Sequence, residues 1–207
     1  ALGSKYKDKM CGSLGSISIF SFTPHKIITM GQGGLVLTDN DKLYEYLVDL
    51  KTFNRSKDKS DWHEGFGLNF KITDLQSALG LSQFEKINEF IKVKREMFQI
   101  YKNDIINYKF INFFDYETPW FIDLICESEF ERDVLKSGLE EADILTRESY
   151  PALSKQVFLK SVEKTNLELS ENISEKILWL PSSTNLRKNQ LEEISQQIKF
   201  IYANMGQ

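Results

Sequence analysis

The sequence predicts an α/β protein in two parts: residues 1 to about 105, ending in a long helix, and residues 106–207, a small α+β domain. Three patterns support this. Residues 16–22 (SISIFSF) alternate polar and apolar side chains at the strand period of two. Apolar residues from Leu75 to Ile100 recur at helical spacing. Beyond residue 108, short apolar runs alternate with helical patterns.

In chain order, the first strand ends at Pro24, which has no amide proton for a sheet ladder. Gly31, Gly33 and Gly34 follow, and glycine permits positive φ and close backbone approach. LVLTDN then resumes a strand that ends in a turn. Residues 40–54 carry Leu43, Tyr46, Leu47 and Leu50 behind an Asn or Asp cap, which predicts one amphipathic helix. Residues 55–67 are polar and hold Trp62 and His63, the character of a loop. Thr73 with Gln76 forms a capping-box pattern opening a helix to about Tyr101. YKFINFF, WFIDLICE and DILTR read as strands, with helices near 128–141 and 187–205. Pro119, Pro151 and Pro181 mark turns, and no internal repeat is present.

Composition narrows the functional classes. With 41% hydrophobic and 27% charged residues in 207, the chain has the make-up of a globular protein with a sizeable core. A net charge of −4 argues against a general nucleic-acid surface. Two cysteines, Cys11 and Cys126, lack the number and spacing of a disulfide framework or zinc site, and two histidines do not make a metal cluster. A reducing, cytoplasmic setting without membrane spans is expected.

Lys26 stands between the aromatic strand and the glycine cluster, in FSFTPHKIITMGQGG. A lysine in such a loop can act as a covalent catalyst when its amine is partly desolvated. This segment resembles the lysine loop of the DegT/DnrJ/EryC1/StrS family of pyridoxal-phosphate-dependent sugar aminotransferases, FSFxxxKxxxxGEGG. One fixed position differs, Gln32 for glutamate. A second stretch, DWHEGFGLNFKITDLQSALGLSQFEKI, is similar to the family's YWHxxxGYNYRMTNxxAAIGLAQLEK, most closely in members that aminate a GDP-linked 4-keto-6-deoxymannose. Thinner similarity continues through DILTRESYPALSKQ and ILWLPSSTNLRKNQLEEI, where Arg147 and Tyr150 keep their types but Glu148 and Ser154 replace the common proline and histidine.

The resemblance implies the C-terminal portion of a fold type I pyridoxal-phosphate enzyme: a remnant of the large cofactor-binding domain plus the small α+β C-terminal domain. The opening ALGSKYKDKMCGSLG resembles the continuation of the family's DxAxALG segment, so a longer polypeptide is expected. Lys26 aligns with the Schiff-base lysine and Ser21 with a serine that binds the cofactor phosphate. Asn69 aligns with an asparagine given across a homodimer interface to the partner's cofactor. Lys71 replaces an arginine and so loses a bidentate fork. Trp62, His63, Lys71 and Arg147 are the candidate substrate contacts. The implied reaction carries an amino group from glutamate to a nucleotide-linked 4-keto-6-deoxy sugar.

Outside those motifs the same residues have plainer readings. Ser21 is then a strand-end hydroxyl, Asn69 a turn residue, His63 a packed neighbour of Trp62, and Arg147 a partner for nearby glutamates. Two other functions compete: a non-catalytic scaffold of the same family, and a dehydratase in which histidine replaces the lysine, with His25 as the neighbouring candidate.

Overall fold

A computed structural model describes residues 1–163 and 165–205. The chain divides into two compact units. One comprises residues 1–91 and 115–118, the other residues 92–114 and 119–207.

The first unit opens with a hairpin of β1 (Lys5–Tyr6) and β2 (Lys9–Met10). Lys7 and Asp8 between them both have positive φ, the two-residue turn that matches strand twist. Next, β3 (Ser18–Ser21) pairs antiparallel with β4 (Gly34–Leu37), from Ser18 opposite Leu37 to Ser21 opposite Gly34. The alternation at 16–22 therefore makes a strand, as its period requires. Helix α1 (Asp41–Lys51) starts where Asn40 Oδ1 accepts the Leu43 amide at 3.0 Å.

Helix α2 (Asp74–Phe84) is opened by the Thr73–Gln76 capping box. The expected continuous helix from Thr73 to Tyr101 is interrupted: α2 ends at Phe84 and α3 runs Ile87–Asp104. At the joint the Lys86 amide reaches back three residues to the Gln83 carbonyl at 3.1 Å, so the turn tightens. The two halves also bury different amounts of surface. No residue of α2 is buried and Leu75 is 85% exposed, whereas Met97, Phe98 and Tyr101 of α3 are buried.

The second unit holds a four-stranded antiparallel sheet in the order β5 (Lys109–Phe110), β6 (Ile122–Ile125), β8 (Ile177–Leu180), β7 (Arg147–Glu148). Around it lie α4 (Glu129–Glu141), α5 (Glu168–Lys176) and α6 (Lys188–Asn204). Ser128 caps α4 by accepting the Glu131 amide at 3.1 Å. Ile122, Leu124, Leu178 and Leu180 share one sheet face by strand parity and join a buried core with Leu135, Leu139, Leu191, Ile194 and Ile198. Asp123 and Trp179 therefore occupy the opposite face.

Besides the broken helix, the β1–β2 hairpin and α5 were not expected from the sequence, and two strands differ from that reading. The DILTR strand begins only at its last residue, Arg147. The central strand β8 was not expected: all four of its residues are buried, so it shows no alternation to read. Among the described residues, no helix is long and apolar enough to cross a membrane.

Candidate active site

Lys26 lies in the loop that leaves β3. Its amide donates to the Thr23 carbonyl at 3.1 Å, turning the chain just after Pro24. Two further bonds lock the loop onto the strand end: the Phe22 amide donates to Gly33 O, and the Met30 amide to Phe22 O, each at 3.0 Å. Thr29 Oγ1 also donates to Phe22 O at 3.2 Å while accepting the Gly31 amide at 3.0 Å. Gly33 has φ 142°, a conformation that favours glycine, and a Cβ there would stand 2.3 Å from Met30 Sδ, which would have to swing away. Beneath, Ile28 is buried.

Lys26 is half-buried, and burial lowers its pKa below the ordinary lysine value by penalising the charged form. Ser21 ends β3, with its Oγ 3.3 Å from Thr23 Oγ1. One strand end and its loop thus present two hydroxyls and a weakened base within six residues.

A second group forms where residues 67–70 run back along the end of α1. Amides of Leu68 and Phe70 donate to the carbonyls of Leu50 and Lys51, and Phe53 donates to Leu68. Asn69 bridges Thr52 through the backbone and is exposed. Phe53 and Asn54 take positive φ of 67° and 50°, which turns the Phe53 ring among cations. Arg55 and Lys71 sit 5.5 and 5.4 Å from its centroid. His63 approaches it edge-on at 6.4 Å, with Nδ1 2.7 Å from the Phe53 carbonyl. Trp62 is exposed and carries Lys59 over its ring at 5.0 Å. Asn69, His63 and Lys71 are therefore gathered by one turn around Phe53, a residue that no sequence signal marks, because nothing in a sequence announces positive φ at a phenylalanine.

The lysine loop and this turn are neighbours through α2. Gln76 Nε2 donates to the Gln32 carbonyl at 3.1 Å, and Ile72 Cγ2 lies 3.6 Å from where a Gly33 Cβ would stand. Arg147 belongs to the second unit, on edge strand β7, with its guanidinium 5.2 Å from the Tyr150 ring and 5.7 Å from Trp179. Among the described residues no group of His, Cys, Asp and Glu could hold a metal ion.

Pyridoxal phosphate suits the donor set of the lysine loop: an amine with lowered pKa for an aldehyde, paired hydroxyls for a phosphate, and glycines that let the backbone come close.

Comparison with known proteins agrees with this chemistry. A family model described as the DegT/DnrJ/EryC1/StrS aminotransferase family matches residues 1–199. The chain is 31% identical over 208 residues to a GDP-perosamine synthase of Escherichia coli O157:H7, covering 99% of this chain and 57% of that relative. It is 34% identical over 207 residues to a GDP-perosamine synthase of Vibrio cholerae, covering 96% and 56%. Among solved structures, Helicobacter pylori PseC, an aminotransferase involved in the biosynthesis of pseudoaminic acid, superposes with a TM-score of 0.90 at 22% identity, covering 99% of this chain and 58% of that one. The chain thus has the fold of an aminotransferase portion and spans a little over half the length of these relatives.

Proposed function

Because the chain belongs to the DegT/DnrJ/EryC1/StrS aminotransferase family, whose members depend on pyridoxal phosphate, we propose that it serves a transaminase that moves an amino group from glutamate to a nucleotide-linked 4-keto-6-deoxy sugar, as a perosamine synthase does. The observation that carries this is Lys26, an amine of lowered pKa held five residues from the Ser21 hydroxyl in a glycine-closed loop.

Pyridoxal phosphate, when bound, supplies an aldehyde that condenses with amines and a ring that accepts electrons from the neighbouring carbon. Lys26 Nζ would be the amine that holds that aldehyde. Its lowered pKa enlarges the free-base fraction near neutral pH, which nucleophilic attack requires. The same nitrogen would serve as the base that takes a proton from the donor carbon and as the acid that returns one on the acceptor side. Ser21 and Thr23 supply hydroxyl donors for the phosphate. Ile28 is buried within the loop, and the Met30 side chain packs beside Gly33.

Asn69 is exposed, which leaves its amide available to a second copy of the chain. On this reading the protein is a homodimer with Asn69 given across the interface, and Lys71, His63 and Trp62 line the same turn for the substrate. Similarity to two GDP-perosamine synthases over nearly the whole chain favours a GDP-linked sugar.

Reduction with borohydride in the presence of pyridoxal phosphate, followed by peptide mapping, tests the assignment. Label on Lys26, lost in Lys26→Arg, is the expected result. Label on another residue, or none, refutes it.

A further inference from the structure

The register of the second unit's sheet sets Asp123, Trp179 and Arg147 side by side on three neighbouring strands, β6, β8 and β7. They share the face opposite the core. Trp179 is clamped there. Its Nε1 donates to Asp123 Oδ1 at 2.7 Å, Phe121 stacks on it at 3.9 Å and 10°, and Tyr150 meets it edge-on at 4.8 Å and 84°. The indole has little freedom left.

Arg147 lies over this platform, 5.2 Å from Tyr150 and 5.7 Å from Trp179. A guanidinium held by aromatic rings uses its charge and leaves its N–H donors unspent. Among the described residues Arg147 makes no ion pair, and the carboxylates near it are otherwise engaged. Glu148 points to the other face by strand parity and is taken by Lys136 at 2.6 Å and Arg132 at 3.9 Å. Asp123 stands two strands away, roughly 10 Å at ordinary strand spacing. It accepts the Trp179 N–H and faces the charge of buried Lys94, whose Nζ donates to the Ser182 carbonyl at 2.8 Å. The result is a positioned, exposed cation without a counter-charge on an edge strand.

We propose that Arg147, held against Tyr150 and Trp179, is a fork for a bidentate oxyanion, with Asp123 and Phe121 as positioning residues that fix the indole. Its ligand is either the diphosphate of the sugar nucleotide or a carboxylate of the amino donor. The two share the planar or tetrahedral oxygen pair that a guanidinium grips with parallel N–H bonds. The identity of these ligands rests on the aminotransferase reading, whereas the fork itself rests on the sheet's own geometry.

Titration calorimetry with GDP, inorganic diphosphate, guanosine and L-glutamate as separate probes tests it, on wild type, Arg147→Met, Arg147→Lys and Trp179→Leu. Arg147→Met should weaken one oxyanion probe by about tenfold or more, the scale of a lost charge-assisted pair. Arg147→Lys should recover little of that, because a point charge lacks the fork. Trp179→Leu should weaken the same probe without any change of charge, while guanosine binding stays as in wild type. Weakening of GDP and diphosphate assigns the site to phosphate, and weakening of glutamate assigns it to carboxylate. Oxyanion affinity unchanged in Arg147→Met, full rescue by lysine, equal weakening of guanosine, or no oxyanion binding by the wild type would each overturn the proposal. No pyridoxal phosphate enters the assay, so a failure here is read separately from a failure at Lys26.

Discussion

Gln76 and Gln32 are 44 residues apart and joined by a single hydrogen bond, Nε2 of the first donating to the carbonyl of the second at 3.1 Å. The same Gln76 side chain accepts the Thr73 amide at 2.9 Å and the Thr73 hydroxyl at 3.2 Å. One residue therefore caps α2 and tethers the glycine side of the lysine loop. It is the backbone of Gln32 that serves here, so glutamine in place of the family's usual glutamate costs this contact nothing.

Gln76→Ala should remove these side-chain bonds. The Thr73 hydroxyl still accepts the residue-76 amide in the variant, so only the reciprocal half of the box and the tether are lost. A loss of about 1 kcal/mol in denaturant unfolding is expected, the net worth of one or two hydrogen bonds. Hydrogen exchange should quicken in residues 30–34 as well as in the first turn of α2. Faster exchange confined to α2 would show that the tether is unimportant.

Gly67 is needed for another reason. A Cβ there would stand 2.1 Å from the Phe53 carbonyl carbon and 2.4 Å from the Asn54 nitrogen, both backbone atoms that cannot swing away. Gly67→Ala should destabilise by about 1–3 kcal/mol, the range for overpacking. It should also disperse Arg55, His63 and Lys71 from the Phe53 ring. A histidine Nδ1 chemical shift unchanged in the variant would contradict the second expectation.

Lys94 gives a pH signature in the second unit. Burial lowers its pKa to about 8, and the Asp123 charge offsets only part of that. Between about pH 8 and the ordinary value of 10.5 the unfolded chain binds more protons at this site, so its contribution to stability rises with pH across that window. Cys126 opposes it. Burial raises that thiol to about 12, so its contribution is complete below its ordinary 9.0 and is lost as pH climbs toward 12. The comparison with Lys94→Met isolates the lysine. The variant's stability relative to wild type should fall steadily from pH 8 to 10.5 in urea titrations, and a pH-independent difference would refute the buried-amine account.

Legibility in the sequence followed the range of the interactions. The Thr73–Gln76 box, the Asn40 cap and the alternation at β3 each arise within a few residues, and each forms as the sequence predicts. The break at Glu85–Lys86 was hidden because apolar spacing continues across it. Leu75, Leu79 and Phe84 nonetheless remain exposed while Met97 and Tyr101 are buried. Periodicity reports which residues share a helix face, not which surface that face will find.

From its sequence alone this chain could be assigned an amine at position 26, a hydroxyl five residues earlier, and glycines to close the loop around them. These are local, because strand parity, proline and glycine act on neighbouring residues. Tertiary structure decided the rest. It chose β8 as the strand that sets Trp179 between Asp123 and Arg147, although 56 residues separate the tryptophan from its carboxylate partner. The physical reason is that strand pairing is selected by the joint burial of Leu124, Leu178 and the helices over them, a sum over distant contacts that no short window contains.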